Sequence, residues 1–281
     1  MKIKVLIILI AVVCAFHSGA QTLTATYIEL ADSADRYIRT ERWADAERVI
    51  IEALRHEPAN KSNYLLWSNL GNVRTRTGNY TGALEAFNIG LASAPKSTTL
   101  LTNRSRTYLA LGHLDEAVKD MSDALEVDST LQWPLKMRGL TLASTGHTDK
   151  ALEDFDTYEK KYGTDASIEE ARGDIDVNSG KLDEALSHYK KAYELEPEER
   201  LLTKTLTAAY LFGKLEDMEN ELSEGLRKYP RNGTLYALRA AINRSKFQTD
   251  AMESDLQTAR EYGADPKLIE TIGQTGKGKS K

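Results

Sequence analysis

An all-α solenoid of repeated helix–turn–helix units is the fold class this sequence predicts, and three observations predict it. Glycines recur at Gly78, Gly112, Gly146, Gly180 and Gly213, at spacings of 34, 34, 34 and 33 residues. Five residues after each comes Ala83, Ala117, Ala151, Ala185 or Met218, and four further on Phe87, Met121, Phe155, Tyr189 or Leu222. Around each glycine the spacing is helical: Leu70, Val73 and Arg74 share a face before Gly78, and Ala83, Phe87, Gly90 and Leu91 share one after it. A fixed period of roughly 20 to 50 residues marks a repeat architecture, in which each unit buries its apolar face against its neighbours.

Taken in order, the chain opens with a different kind of segment. Lys2 and Lys4 precede the apolar run VLIILIAVVCAF from Val5 to Phe16, followed by Ser18, Gly19 and Ala20. A positive head, a short apolar stretch and a small-residue exit predict a secretory signal over 1–20, with the mature chain starting at Gln21. Twelve apolar residues fall short of the about 20 that span a bilayer. Cys14, the only cysteine, lies inside the run. Val13 before it and Ala11 depart from the bacterial lipoprotein signal, so export without lipid is expected. A lipid anchor on the outer membrane at Cys14 is the alternative, and the only route to membrane association. Without Cys14 the mature chain has no thiol for disulfides, thiol catalysis or zinc.

The repeats occupy 21–266, with units near 27–63, 64–97, 98–131, 132–165, 166–199, 200–232 and 233–266. The first is marked by Trp43, Ala46, Ala53 and Pro58, with three extra residues, Lys61 to Asn63, after it. Within a unit the glycine ends the first helix, because it takes left-handed dihedrals without steric cost. Pro58, Pro95, Pro197 and Pro230 stand where proline ends the second. The sixth unit is one residue short. The seventh carries Phe247 in place of the turn glycine and Met252 in place of the alanine. Residues 267–281 are expected to form a capping helix and a basic flexible tail.

That tail contains GQTGKGKS, Gly273 to Ser280, which fits the phosphate-loop pattern. A phosphate loop needs a strand before it and a helix starting at its Lys-Ser pair. Here PKLIETI precedes it and only Lys281 follows, so no nucleotide binding is expected. Nor do His56, His113, His147 and His188 form a metal-ligand pattern. Acids such as Asp115, Glu116, Asp183 and Glu184 open second helices, where they favour the positive end of the dipole. No enzyme, cofactor or metal is expected. The net charge of −5 gives no reason to expect nucleic acid.

A 34-residue unit carrying Trp67, Leu70, Gly71, Gly78, Tyr80, Ala83, Phe87 and Pro95 resembles the tetratricopeptide repeat. The resemblance covers about residues 27 to 266 and implies a right-handed superhelical solenoid of about seven units. It also implies that the first helices line a concave groove, with positions 2, 5, 6, 9, 12 and 13 of each unit facing it. Those positions hold Ser68, Asn69, Asn72, Thr75 and Arg76; then Thr102, Asn103 and Arg106; then Trp133, Lys136, Met137 and Leu140. The fifth unit turns acidic at Glu170 and Asp174, and the sixth apolar at Leu201, Leu211 and Phe212. The family's carboxylate clamp for chaperone tails matches at Asn72 and Asn103. It lacks its lysines where Ser68 and Trp133 stand.

The candidate peptide-groove residues are therefore Asn69, Asn72, Arg76, Asn103, Arg106, Trp133 and Lys136. Three cations attract an acidic chain, asparagines bond both donors and acceptors of an extended backbone, and Trp133 adds an apolar platform. The expected function is a non-catalytic adaptor that binds a protein or extended peptide, acidic in character. An envelope-associated assembly subunit, docking by its convex face or its ends, is the alternative. With its leader, the chain resembles exported tetratricopeptide proteins of the bacterial periplasm, so it is expected to be periplasmic or secreted. Finally, Arg104, Arg138 and Arg239 take the seventh place of their units, with Asp120, Asp154 and Asp255 sixteen residues on. Leu70 and Ala86 hold the same places in the second unit, which predicts half-buried arginine–aspartate ties. Arg172 breaks the rule, with His188 opposite.

Overall fold

The computed structural model describes residues 25–274; the expected secretory leader, Cys14 and most of the phosphate-loop lookalike lie outside the described residues. The described residues hold fifteen α-helices and one 3-10 turn, and no strand. They fall into two compact units that divide between Thr145 and Gly146. The first contains α1 (25–39), α2 (Trp43–His56), α3 (Asn63–Arg76), α4 (Tyr80–Ser93), α5 (Thr98–Leu111), α6 (Leu114–Val127) and α7 (Gln132–Ser144). The second contains α8 (Thr148–Tyr162), α9 (Ala166–Asn178), α10 (Leu182–Leu195), α11 (Glu199–Leu211), the 3-10 turn Glu216–Met218, α12 (Glu219–Lys228), α13 (Gly233–Ser245), α14 (Thr249–Glu261) and α15 (Pro266–Gly273).

Local chemistry sets these boundaries. Gly78 and Gly112 take φ of 80° and 74° at the ends of α3 and α5, as the turn position requires. Asn79, Ser97, Asp165 and Asn232 each turn a side-chain oxygen onto an amide of the following first turn, satisfying donors that the helix itself leaves open. Pro58, Pro95, Pro197 and Pro230 each follow the end of a second helix by two residues. The unit that is one residue short opens its second helix with the tight 3-10 turn.

Packing follows the repeat. Within the units α3 packs on α4, α5 on α6, α9 on α10 and α13 on α14. Ala83, Ala117, Ala151 and Ala185 are fully buried, as are Phe87, Met121 and Phe155. Burying a side chain of that size stabilises the fold by about 1.5–3 kcal/mol. Two glycines make room for it: a β-carbon on Gly71 would stand 2.4 Å from the Phe87 ring, and one on Gly173 would stand 2.5 Å from the Tyr189 ring. Both ring residues lie sixteen positions after their glycine. α15 packs on α13 and α14 and buries Ile269 and Ile272. The segment before the phosphate-loop lookalike is thus a capping helix, as the sequence predicts, and not a strand.

Two of the arginine–aspartate ties, those of Arg104 and Arg239, form within their repeats. Arg104 forks onto Asp120 at 2.7 and 2.6 Å, and Arg239 onto Asp255 at 2.9 and 2.6 Å, both aspartates being almost wholly buried. Arg172 instead reaches back from α9 to Asp156 and Glu159 on α8, at 2.7 and 3.1 Å. His188, opposite it in sequence register, binds the buried Glu169 at 2.6 Å.

The three extra residues, Lys61 to Asn63, which run into the start of α3, are not idle either. Asn63 is buried, accepts a bond from the Tyr27 hydroxyl at 3.0 Å and donates to the Glu57 carbonyl at 2.7 Å, which ties α1 to the loop after α2.

Candidate peptide-binding groove

In the first compact unit, α3 and α5 lie side by side as the first helices of successive repeats. Hydroxyl and amide contacts join them: Thr75 and Thr107 share a hydrogen bond of 2.9 Å, and the Asn103 side-chain amide donates to Ser68 Oγ at 3.3 Å. Beside this seam lies a cleft of about 550 Å³ lined by Ile38, Trp43, Asn72, Val73, Thr75, Arg76, Asn103 and Arg106. Four of the seven candidate residues, Asn72, Arg76, Asn103 and Arg106, therefore meet around one space.

Its electrostatics are unusual for this protein. Arg74, in the last turn of α3, is tied down by Glu47 at 2.7 Å. Arg76 and Arg106 are exposed and have no carboxylate partner among the described residues. Burial, and then the charge of Arg76, hold the Arg106 guanidinium below its ordinary pKa. Two like charges without a counter-charge create a positive potential that an anion would relieve. Arg106 also lies over the Trp133 ring at 4.2 Å, so the fifth candidate joins the cleft through a cation–π contact. Asn69 and Lys136 are half-buried on α3 and α7 and are not among the residues lining the cleft.

Two positions expected in the groove are buried instead. Ser68 is 3% exposed and serves the α3–α5 seam, while Leu201 is 2% exposed and packs with Ala166 and Ala192. Ser68 faces α5 across the seam, and Leu201 packs against α9 and α10, so neither has an open face. The sequence reading missed Ile38 and Trp43. Ile38 is the twelfth residue of the first unit, one of the groove positions, so extending the register one unit back would have found it.

The second compact unit carries a contrasting face. The acids expected in its groove are neutralised: Glu170 accepts from Arg200 at 2.6 and 2.8 Å and from Lys204 at 2.9 Å. The Arg200 bonds, more than any other contact, hold the Glu170 carboxyl below its ordinary value. Asp174 accepts a hydrogen bond of 2.6 Å from the Tyr189 hydroxyl and forms an ion pair with Lys204, also at 2.6 Å. Burial, followed by that bond, pushes the Tyr189 phenol far above its ordinary range. Next to this network lies a pocket of about 410 Å³ lined by Val177, Tyr189, Ala208, Leu211 and Phe212, with Arg200 and Lys204 at its edge.

A family model described as tetratricopeptide repeat matches residues 24–198. Among solved structures, a tetratricopeptide repeat protein from Parabacteroides merdae aligns with a TM-score of 0.64 and 23% identity, over 88% of this chain and 97% of that one. A MamA fragment from Desulfovibrio magneticus aligns with a TM-score of 0.54 and 15% identity, over 59% of this chain and 94% of that one. At such identities the likeness speaks to the fold alone. No curated protein matches the chain significantly.

Proposed function

We propose a scaffold function from one premise: this chain belongs to the tetratricopeptide repeat family, generally a non-catalytic fold for protein–protein interaction. Its ligand is an extended, acidic protein segment that lies along α3, α5 and the start of α7. The observation that carries this is the pair Arg76 and Arg106, two exposed guanidinium groups at one cleft without a carboxylate partner among the described residues. Asn72 and Asn103 beside them offer both donors and acceptors to a peptide backbone. Ile38 and Trp43 add an apolar wall, so an acidic residue next to an apolar one suits the cleft best. The Trp133 ring under Arg106 extends the same surface. The leader over 1–20 supports export, with action in the periplasm or outside the cell.

The experiment is a titration with labelled extended peptides, acidic and neutral, read by fluorescence anisotropy. Wild-type protein is expected to prefer the acidic peptides, with affinity falling as salt rises. Arg76→Ala with Arg106→Ala is expected to weaken acidic binding at least tenfold at unchanged melting temperature. Equal binding by the double variant would refute the site.

A further inference from the structure

The cleft of the first compact unit is built twice over. α3 carries Asn72 one turn before Arg76, α5 carries Asn103 one turn before Arg106, and all four line the same space. The Thr75 and Thr107 hydroxyls, each next in sequence to one of the arginines, meet at 2.9 Å and pin the two helices together at that level. Each repeat therefore offers one guanidinium for an anion and one side-chain amide for a backbone, on either side of one seam. A duplicated site suits a ligand that presents the same chemistry twice.

Spacing then selects the ligand. Trp133, which belongs to the following repeat, holds the Arg106 guanidinium over its ring at 4.2 Å, so the two cations are offered by separate helices rather than gathered at one point. Burial first, and then the charge of Arg76, lower the Arg106 pKa, which places the two groups within electrostatic reach of each other. Packed helices lie about 8–10 Å apart. Along an extended chain, neighbouring side chains point to opposite faces, and those on one face recur every two residues, about 6.4–6.8 Å. Acids four positions apart stand roughly 13 Å from each other, beyond the width of one helix pair. Two acids separated by one residue match the arginines, with the flexible side chains taking up the difference.

Resting on the reading of this cleft as a site for an extended acidic segment, we infer that the ligand carries two acidic residues separated by one other and crosses from α3 to α5, one acid on Arg76 and the other on Arg106. The residue between them points away from the surface, and the backbone on either side of it bonds to Asn72 and Asn103. Both amides have capacity for this: Asn72 has no hydrogen-bond partner among the described residues, and Asn103 commits one amide hydrogen to Ser68 while its side-chain carbonyl has no partner among them.

Labelled peptides of one composition test this by anisotropy, each with two glutamates in an otherwise uncharged extended background. The glutamates stand adjacent, separated by one residue, or four positions apart, and a control carries glutamine at both places. Wild-type protein is expected to bind the peptide with one intervening residue about fivefold more tightly than the other two acidic peptides. Arg76→Gln and Arg106→Gln, both at exposed positions and at unchanged melting temperature, are each expected to erase that preference. Equal binding of the three acidic peptides, tightest binding at another spacing, or a variant that keeps the wild-type ranking overturns the inference. If the glutamine control still binds more weakly than all three, the reading of the cleft as an acid-binding site survives that failure. A glutamine control that binds as well as the acidic peptides overturns both. A peptide with a single phosphoserine that outcompetes the acidic pair also overturns the inference, because one dianion would then serve both arginines.

Discussion

Asp120 and Glu170 show how single charged residues are made tolerable in a helical core. Asp120 is 2% exposed and held by both nitrogens of one Arg104 fork, so its solvation is replaced by two charge-assisted bonds. Removing only the carboxylate leaves a guanidinium poorly solvated, whereas removing both partners recreates the apolar Leu70–Ala86 arrangement of the second repeat. Asp120→Ala is expected to lower stability by about 3 kcal/mol, and Arg104→Leu with Asp120→Ala by clearly less. Chemical denaturation of the two proteins decides this, and equal losses would show that the pair is merely solvated. Glu170 gives a pH signature. Its folded pKa lies below the ordinary value, so its ties stabilise the fold above that value and are lost as pH falls through the folded one. Glu170→Gln is expected to melt several degrees below wild type at neutral pH, and the gap is expected to close as pH falls through the folded pKa and wild type loses the same contribution. The arginine–aspartate ties were legible because the chain exchanges the pair for apolar residues at a fixed separation of sixteen. The Glu170 and Arg172 ties were not, since their partners lie on neighbouring repeats at separations no single-unit pattern contains.

Helix pairing is where the repeat period was most informative. Glycine at the end of a first helix, a small residue five positions on and a large one after it specify a close crossing, and the structure buries the small and the large residue almost completely. Gly71 is the sharpest case, because its missing β-carbon is the space occupied by the Phe87 ring. Gly71→Ala is expected to destabilise by about 2 kcal/mol through overpacking, and pairing it with Phe87→Leu should recover part of the loss. A thermal melt of the three proteins checks this; no recovery in the double variant would place the cost in the backbone instead. Ser68 and Leu201 mark the limit of legibility at this scale. Family register assigns them to the groove, but the closeness of successive first helices buries them, and that distance depends on side chains from two repeats at once. The cleft itself was legible through Asn72, Arg76, Asn103 and Arg106. Its apolar wall was not, because Ile38 belongs to a terminal repeat whose turn carries Glu41 rather than glycine.

The chain as a whole is a tetratricopeptide array whose charge is distributed rather than simply negative. Glu170 and Asp174 of the second unit are already answered by Arg200 and Lys204, while the cleft of the first unit keeps two cations without a carboxylate partner among the described residues. The proposed leader belongs to this scale too: intact mass of the protein from its own host is expected to correspond to a start at Gln21 without lipid, and a retained Met1 or an acylated Cys14 would contradict it. What the molecule binds is tested most directly by exchanging the charge of the cleft. Arg76→Glu with Arg106→Glu turns two cations into two anions at exposed positions, where the fold should tolerate them. Anisotropy titrations with matched acidic and basic extended peptides then read preference rather than affinity alone. The expected result is inversion: wild type selects the acidic peptide, and the charge-reversed protein, melting as wild type does, selects the basic one. A folded variant that still prefers the acidic peptide would contradict the account.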